Sequence, residues 1–331
     1  MDFSFSQDQI DLRDAVREYL DGEHDPAVLR ALDEGSGRDP AIRSGLVEMG
    51  LAGIMVPESK GGLGLGLLEA TMIGVELGRA NVSEPLADTA FVAVPWLLAQ
   101  DRADALDGVA SGERVIAIAD PANGWVADLD HADALLSSAG LVEPAPVTDR
   151  LDTVDPLRQL FALPDEVTHD PLLFDLAALT CAAQMVGAAE RMMALSTDYA
   201  EQREQFGQPI GRFQAIKHHL ASVAVKVEFA RPVLWRAAAS QNDERFSLNV
   251  SHVKIAATDA AMLAAETAIQ VHGAMGYTYE VDLHFWMKRV WALAGAWGDR
   301  ATHLRRVEAM VIDGAMDIGP SETFTKELTH A

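Results

Sequence analysis

The chain has 331 residues, enough to bury a large core and to divide into two or three domains. Its 50 acidic against 26 basic side chains leave a formal net charge of −24, which excludes the basic footprint of a nucleic-acid binder and attraction to an anionic membrane surface. An anionic ligand must then be met by local cations or helix N-termini, and the single cysteine, Cys181, excludes an intrachain disulfide and reads as a small core residue of a cytoplasmic protein.

Met1-Asp2-Phe3-Ser4-Phe5 lacks the basic flank and apolar run of a signal peptide, and no stretch approaches the roughly 20 apolar residues of a membrane span. Ser6-Gln-Asp-Gln9 has the form of a capping box, and Ile10, Val16 and Leu20 follow at helical spacing to about Asp21-Gly22. A second helix is predicted from Pro40 to Met49, stopping at Gly50. The glycines of Gly53 to Gly66 suggest a phosphate cradle. They lack the Gly-Lys-Ser/Thr ending of a P-loop and follow no convincing strand, so a connector is the better reading. An apolar helix from Leu68 to Arg79 and three more helical patches to about Asp107 complete an all-α segment, residues 1–110.

Arg114-Val-Ile-Ala-Ile-Ala119 is β-branched and alternating, as in a strand. The Pro-, Asp- and Gly-rich stretch after it carries short apolar runs such as Ala134-Leu-Leu136, which predicts a small central β domain over 111–168. Residues 169–331 read as long alanine-rich helices joined by short turns, near 172–202, 213–241, 245–273 and 283–313, as in a four-helix bundle. The fold class expected is thus mostly α with a small central β domain.

Two turns in the bundle stand out. Arg203-Glu-Gln-Phe206-Gly207-Gln-Pro209-Ile-Gly211-Arg-Phe213-Gln214 breaks one helix and begins another, whose apolar stripe is Phe213, Ile216, Leu220, Val223 and Val227. Arg203 and Phe206 offer a cation for a phosphate and a ring for a flat heterocycle; equally, they are an exposed Arg and a core Phe in a plain helix hairpin. In Gln270-Val-His-Gly273-Ala-Met-Gly276-Tyr277, Gly273 ends a helix and Gly276 turns the chain, but turn chemistry leaves Gln270 unexplained. His218 and His219 are adjacent and cannot share a helix face. His272 and His284 have no partners at ligand spacing, so no metal site is predicted. No Gly-x-Ser-x-Gly occurs, which leaves a serine hydrolase without support.

These stretches resemble the acyl-CoA dehydrogenase family over nearly the whole chain. Landmarks are Met1-Asp2-Phe3, Val56-Pro57-Glu58, Gly61-Gly-Leu-Gly-Leu65, Glu76-Leu-Gly-Arg-Ala80, the Arg203–Ala221 segment and the Gln270–Thr278 segment. The resemblance implies an N-terminal helical domain, a β domain and a C-terminal four-helix bundle. It implies that Arg203, Phe206, Gln214, Gln270, Gly273 and Gly276 contact the FAD of a neighbouring subunit, and that an electron-transfer flavoprotein accepts the electrons.

The chain also departs from the family pattern. It is shorter than most members, and the β domain lacks tens of residues. Ala119-Asp-Pro-Ala-Asn-Gly124 stands where a Thr-Glu-Pro…Gly-Ser-Asp loop holds the flavin edge, and no Trp-Ile-Thr-Asn motif follows. The family's general base is a Glu that must reach the substrate α-carbon. Counting to its two known places lands on Trp297 and on Ala178. The nearest carboxylates are Asp299 and Asp175, each a methylene shorter than Glu, and Asp175 is as easily a helix N-cap. The resemblance therefore implies a subunit without a base of its own. Such a chain would complete the FAD site of a full-length partner in an α2β2 acyl-CoA dehydrogenase, as in bacterial enzymes for bulky steroid CoA thioesters. Two alternatives stay open: a self-sufficient enzyme using Asp175 or Asp299, and a helical scaffold that binds no flavin.

Overall fold

The computed structural model describes residues 4–35, 38–121, 123–137, 140–144, 150–163 and 170–313. The Met1-Asp2-Phe3 landmark lies outside them. Helix α1 (Gln7–Glu23) starts on the expected capping box: Gln9 N–H donates to Ser6 Oγ at 3.2 Å, and Ser6 N–H donates to Gln9 Oε1 at 2.9 Å. Helix α2 (Pro26–Glu34) is an addition to the expected elements, although Asp25 caps it and Pro26 opens it, the usual chemistry of a helix start. Helix α3 (Pro40–Glu48) repeats that Asp-Pro start at Asp39, and Gly50 follows in the left-handed region at φ 81°.

The glycine-rich loop is a connector. Its amides are spent inside the loop, with Leu63, Gly64 and Leu65 N–H donating to Gly53, Val56 and Ile54 carbonyls at 2.9 Å each. A Cβ on Gly62 would lie 2.1 Å from the Val56 carbonyl, so the glycine is there to let two backbones touch. Helix α4 (Leu67–Ala80) follows. A π-helical turn (Asp88–Ala93) then runs into α5 (Val94–Ala99).

The central sheet, among the described residues, has six short strands: β1 (Ile116–Asp120), β2 (Trp125–Ala127), β3 (Ala134–Ser137), β4 (Gly140–Val142), β5 (Arg150–Leu151) and β6 (Leu160–Ala162). Their order is β4-β3-β1-β2-β6-β5; β1 and β3 pair in parallel, Ile116 opposite Ala134, and the other neighbours are antiparallel. Alternation splits β1 between two faces. Ile116 and Ile118 join the main helical core, while Ala117 packs with Val126, Leu129 and Phe161 in a small core of its own. Thr89 of the π-helical turn fixes the sheet to the helices, exchanging hydrogen bonds with Ile116 N–H and C=O.

Helix α6 (Pro171–Gln202) is the centre of the molecule and packs against α4, α7 (Gln214–Ala239), α8 (Phe246–His272) and α9 (Leu283–Gly295). By length and composition α6 could cross a membrane, contrary to the sequence expectation; its most apolar stretch is 89% buried in protein, which makes it a core helix. Glycines set its distance from α4. A Cβ on Gly78 would meet the Gln184 carbonyl at 2.1 Å, and one on Gly187 would meet the Val75 carbonyl at 1.9 Å.

The fourth bundle helix expected at 283–313 is two helices, α9 and α10 (Arg300–Val311). The break lies at Ala296-Trp297-Gly298-Asp299, where Trp297 and Gly298 take φ of 54° and 87°. A helix cannot propagate through two left-handed residues.

Candidate functional site

Helix α6 ends at Arg203, and the chain turns back through a two-residue hairpin. Glu204-Gln205 pairs with Gln208-Pro209, and Phe206 and Gly207 form its tip. Both tip residues have positive φ, 53° and 78°, the geometry of a type I′ turn. That turn ordinarily takes Asn or Asp before Gly, so a Phe held there is a departure from local preference.

Phe206 is 93% exposed, which removes the core-Phe reading. Its aromatic neighbour among the described residues is Phe213, edge-on with centroids 6.1 Å apart. Arg203 is exposed, and no ion pair involves it among the described residues. Its backbone is clamped on both sides, N–H to Tyr199 and C=O from Ile210 N–H, each at 2.8 Å.

Gln214 opens α7 at the surface, and among the described residues no side chain caps that helix start, which leaves backbone N–H groups and the positive end of the helix dipole facing outward. The C-terminus of α8 comes to the same end of the bundle. Tyr199, one turn before Arg203, stacks on His272 with centroids 4.3 Å apart. His272 sits between exposed Gln270 and exposed Gly273, the latter at φ 59° with no atom within 4 Å of where a Cβ would stand. Gly276 is buried: a Cβ there would lie 2.9 Å from the Ile269 carbonyl. Five of the six predicted contact positions are therefore at the surface and clustered at one end, with the Arg203 guanidinium, backbone amides and an aromatic ring available to a ligand. An anion such as a pyrophosphate and a flat heterocycle fit this donor set.

The residues expected near a base lie elsewhere and are closed in. Ala178 is fully buried in α6. Trp297 is 3% exposed, T-shaped against Phe174, and its N–H donates to Asp120 Oδ2 at 3.0 Å. Its carbonyl bonds His303 Nε2 at 3.0 Å, which assigns the proton to that nitrogen; burial pulls the His303 pKa down to about 4. Fully buried Lys254 donates to the Leu293 and Ala296 carbonyls at 2.8 and 2.7 Å, tying off the end of α9; burial lowers its pKa.

The two fallback carboxylates both have structural work. Asp175 is not an N-cap; Asp170 caps α6, and Asp175 lies one turn in, buried, accepting from Arg306 at 2.6 Å and from Ser247. Asp299 is the N-cap of α10, accepting from Thr302 N–H at 2.8 Å and Thr302 Oγ1 at 2.7 Å. Those bonds hold its pKa below the usual carboxylate range. Sequence counting finds neither the Trp297 lock nor Lys254; a lysine inside the apolar run of α8 is the signal available. Among the described residues no group of histidines, cysteines and carboxylates could hold a metal ion.

Residues 6–101 match the acyl-CoA dehydrogenase N-terminal domain model and residues 172–312 match the C-terminal domain model. Acyl-CoA dehydrogenase IpdE2 of Mycobacterium tuberculosis is 35% identical over 313 residues, covering 91% of this chain and 96% of that protein. The Mycolicibacterium smegmatis protein of the same name is 33% identical, covering 91% of this chain and 97% of that protein. Among solved structures, a chain of the ChsE4-ChsE5 complex from Mycobacterium tuberculosis superimposes with a TM-score of 0.84 at 25% identity, covering 95% of this chain and 99% of that one. Butyryl-CoA dehydrogenase from Megasphaera elsdenii shares the fold, with a TM-score of 0.82 at 20% identity, covering 94% of this chain and 100% of that one. With relatives matched along nearly their full length, both terminal domain models matched and the fold shared throughout, the chain belongs to the acyl-CoA dehydrogenase family.

Proposed function

We propose that the chain is the non-catalytic subunit of a heteromeric FAD-dependent acyl-CoA dehydrogenase. It pairs with a full-length partner in an α2β2 assembly and completes the partner's FAD site with Arg203, Phe206, Gln214, Gln270 and Gly273, buried Gly276 serving the turn that follows them. The carrying observation is Phe206, an aromatic ring held out in solvent on a left-handed backbone. An isolated fold gains nothing from that arrangement, and a bound heterocycle does.

The chemistry is α,β-dehydrogenation of an acyl-CoA, with the flavin as hydride acceptor and an electron-transfer flavoprotein as final acceptor. On this reading Arg203 and the open N-terminus of α7 neutralise phosphate charge, and Phe206 stacks. This chain supplies no proton acceptor: Trp297 and Ala178 stand at the two family base positions, and Asp175 and Asp299 are held by Arg306 and Thr302. A bulky steroid-type CoA thioester is proposed as the substrate class, the lead being one similar structure, the Tcur3481-Tcur3483 steroid ACAD, with a TM-score of 0.82 at 24% identity.

Flavin absorbance tests this. The chain purified alone is expected to be colourless, and its co-expressed complex with a full-length acyl-CoA dehydrogenase to carry one FAD per heterodimer. Arg203→Ala should weaken flavin retention in the complex by about 10- to 100-fold, the loss of one charge-assisted hydrogen bond. One FAD per lone chain overturns the reading, as does an Arg203→Ala complex that holds flavin as tightly as wild type.

A further inference from the structure

Away from the hairpin, α4, the link from α4 into the π-helical turn, α6, α9, the turn after β2 and the loop before β6 line a pocket of about 40 Å³ that is partly open to solvent. At roughly 10–15 Å³ per water-sized occupant it holds about three such units, the size of a formate or acetate ion and far below that of a thioester. Its walls carry hydrogen-bond donors that no protein group among the described residues uses. Arg289 is 4% exposed and Ser83 is 4% exposed; Arg289 Nη2 and Ser83 Oγ are both buried without a partner, as is Arg158 Nη1. Arg289 is already charge-matched through Nε to Asp155, and its Nη1 donates to the Val82 carbonyl at 3.0 Å, so Nη2 is the arm left over. Buried donors of this kind cost free energy unless an acceptor meets them.

The acidic side of the cavity decides which acceptor fits. Asp128 is paired with Arg38, and Glu84 accepts from Asp39 N–H at 2.7 Å. Asp88 faces the cavity with Arg158 of the loop before β6, Arg289 of α9, Asp128 and Glu84 around it, Cys181 of α6 on the wall and Asp120 of β1 nearby. With Asp128 and Glu84 engaged, Asp88 is the lining carboxyl that no protein donor meets among the described residues, and with two guanidinium arms and a hydroxyl on the same walls it forms a receptor for a second carboxyl group, provided the two carboxyls share a proton.

We infer that this cavity binds a small carboxylate anion, taken up with one proton that it shares with Asp88. Arg158 and Arg289 donate to its oxygens and Ser83 completes the cradle. Because a proton enters with the anion, the formal charge of the cavity is the same before and after binding, which removes the objection that acidic groups line it. Burial already raises the Asp88 pKa to about 6, in the direction that sharing requires.

The test is calorimetric titration of the full chain with sodium formate and with sodium acetate, against sodium chloride at equal ionic strength. Measurements in two buffers of different ionisation enthalpy count protons. At about pH 7 both carboxylates should bind with uptake of roughly one proton, and at about pH 5 with almost none, since Asp88 is then already protonated. Affinity should fall about tenfold per unit above pH 6. Arg158→Gln should weaken binding at least about tenfold, and Asp88→Asn should abolish proton uptake. Carboxylates indistinguishable from chloride, binding at pH 7 without proton uptake by the wild-type chain, or undiminished binding by a folded Arg158→Gln variant each overturn the inference.

Discussion

Phe206 lowers the stability of the chain that carries it. A bulky residue at positive φ costs on the order of 1–2 kcal/mol, and the edge contact with Phe213 returns only part of that. Phe206→Asn converts the tip to Asn-Gly, the favoured type I′ pair. The lone chain should then gain about 1 kcal/mol in denaturant unfolding, while the proposed complex should release flavin about fivefold more readily. A variant that stabilises the chain and leaves flavin retention untouched would show that the ring serves something else. His303 gives a second expectation at this scale. Its folded pKa of about 4 lies below the unfolded 6.5, so the unfolded state binds the extra proton between those values. The stability contributed by neutral His303 is complete above pH 6.5 and is lost as pH falls through 4, up to about 3 kcal/mol. Asp88 has the opposite sign, its pKa raised from 3.8 to about 6, so it favours the fold as pH falls through 6. The difference between wild type and His303→Gln, measured from about pH 7 to pH 4, cancels Asp88 and isolates the histidine; a flat difference would mean that His303 is not buried neutral.

The break between α9 and α10 is the element on which the catalytic question turns. Trp297 is built in by contacts on every side: Asp120 on its N–H, His303 on its C=O, Phe174 on its ring, and Lys254 on the preceding carbonyl. Gly298 follows at φ 87°, where a Cβ would lie 2.8 Å from the Phe174 ring. Placing a carboxylate at the proposed base position by Trp297→Glu is therefore expected to fail. It removes a buried indole and buries a charge, destabilising the chain by about 3–5 kcal/mol, and no dehydrogenase activity should emerge in the chain alone. A stable, active Trp297→Glu protein would mean that a single substitution had disabled an otherwise complete site. Much of this element is not legible in the sequence. The apolar spacing from Leu283 to Met310 looks continuous, and the break depends on two backbone conformations fixed by partners more than 40 residues away, Asp120 and Lys254. The hairpin end is more legible, because Arg203, Phe206 and Gly207 sit in one contiguous motif whose turn chemistry is local. Helix α2 escapes notice although Asp25-Pro26 is the same start signal that reveals α3; its nine residues carry too little periodicity to stand out. In the sheet, Ile116 to Ala119 announce β1 by alternation, whereas β2, β4 and β6 have three residues each and are strands only because their neighbours pair with them.

Across the whole molecule, the N-terminal helices, the sheet and the bundle share one main core, in which Leu77, Ile116 and Val186 all take part. Trp286 Nε1 donates to the Arg79 carbonyl at 2.8 Å, and Arg289 holds Val82, so α9 closes the end of α4 from the far side of the sequence. The crossing of α4 on α6 has a further consequence. With Gly78 against Gln184 and Gly187 against Val75, the two helices meet backbone to backbone, leaving no layer of side chains in which one could slide over the other. Amide hydrogens at the centres of both helices should therefore exchange with solvent at one common free energy, equal to that of global unfolding. Earlier exchange of α4 would mean that the crossing opens by itself. An interface of this kind makes the joint between the two helical layers a weld: strain applied at the hairpin end is carried through α6 into α4, and these two helices move as one unit.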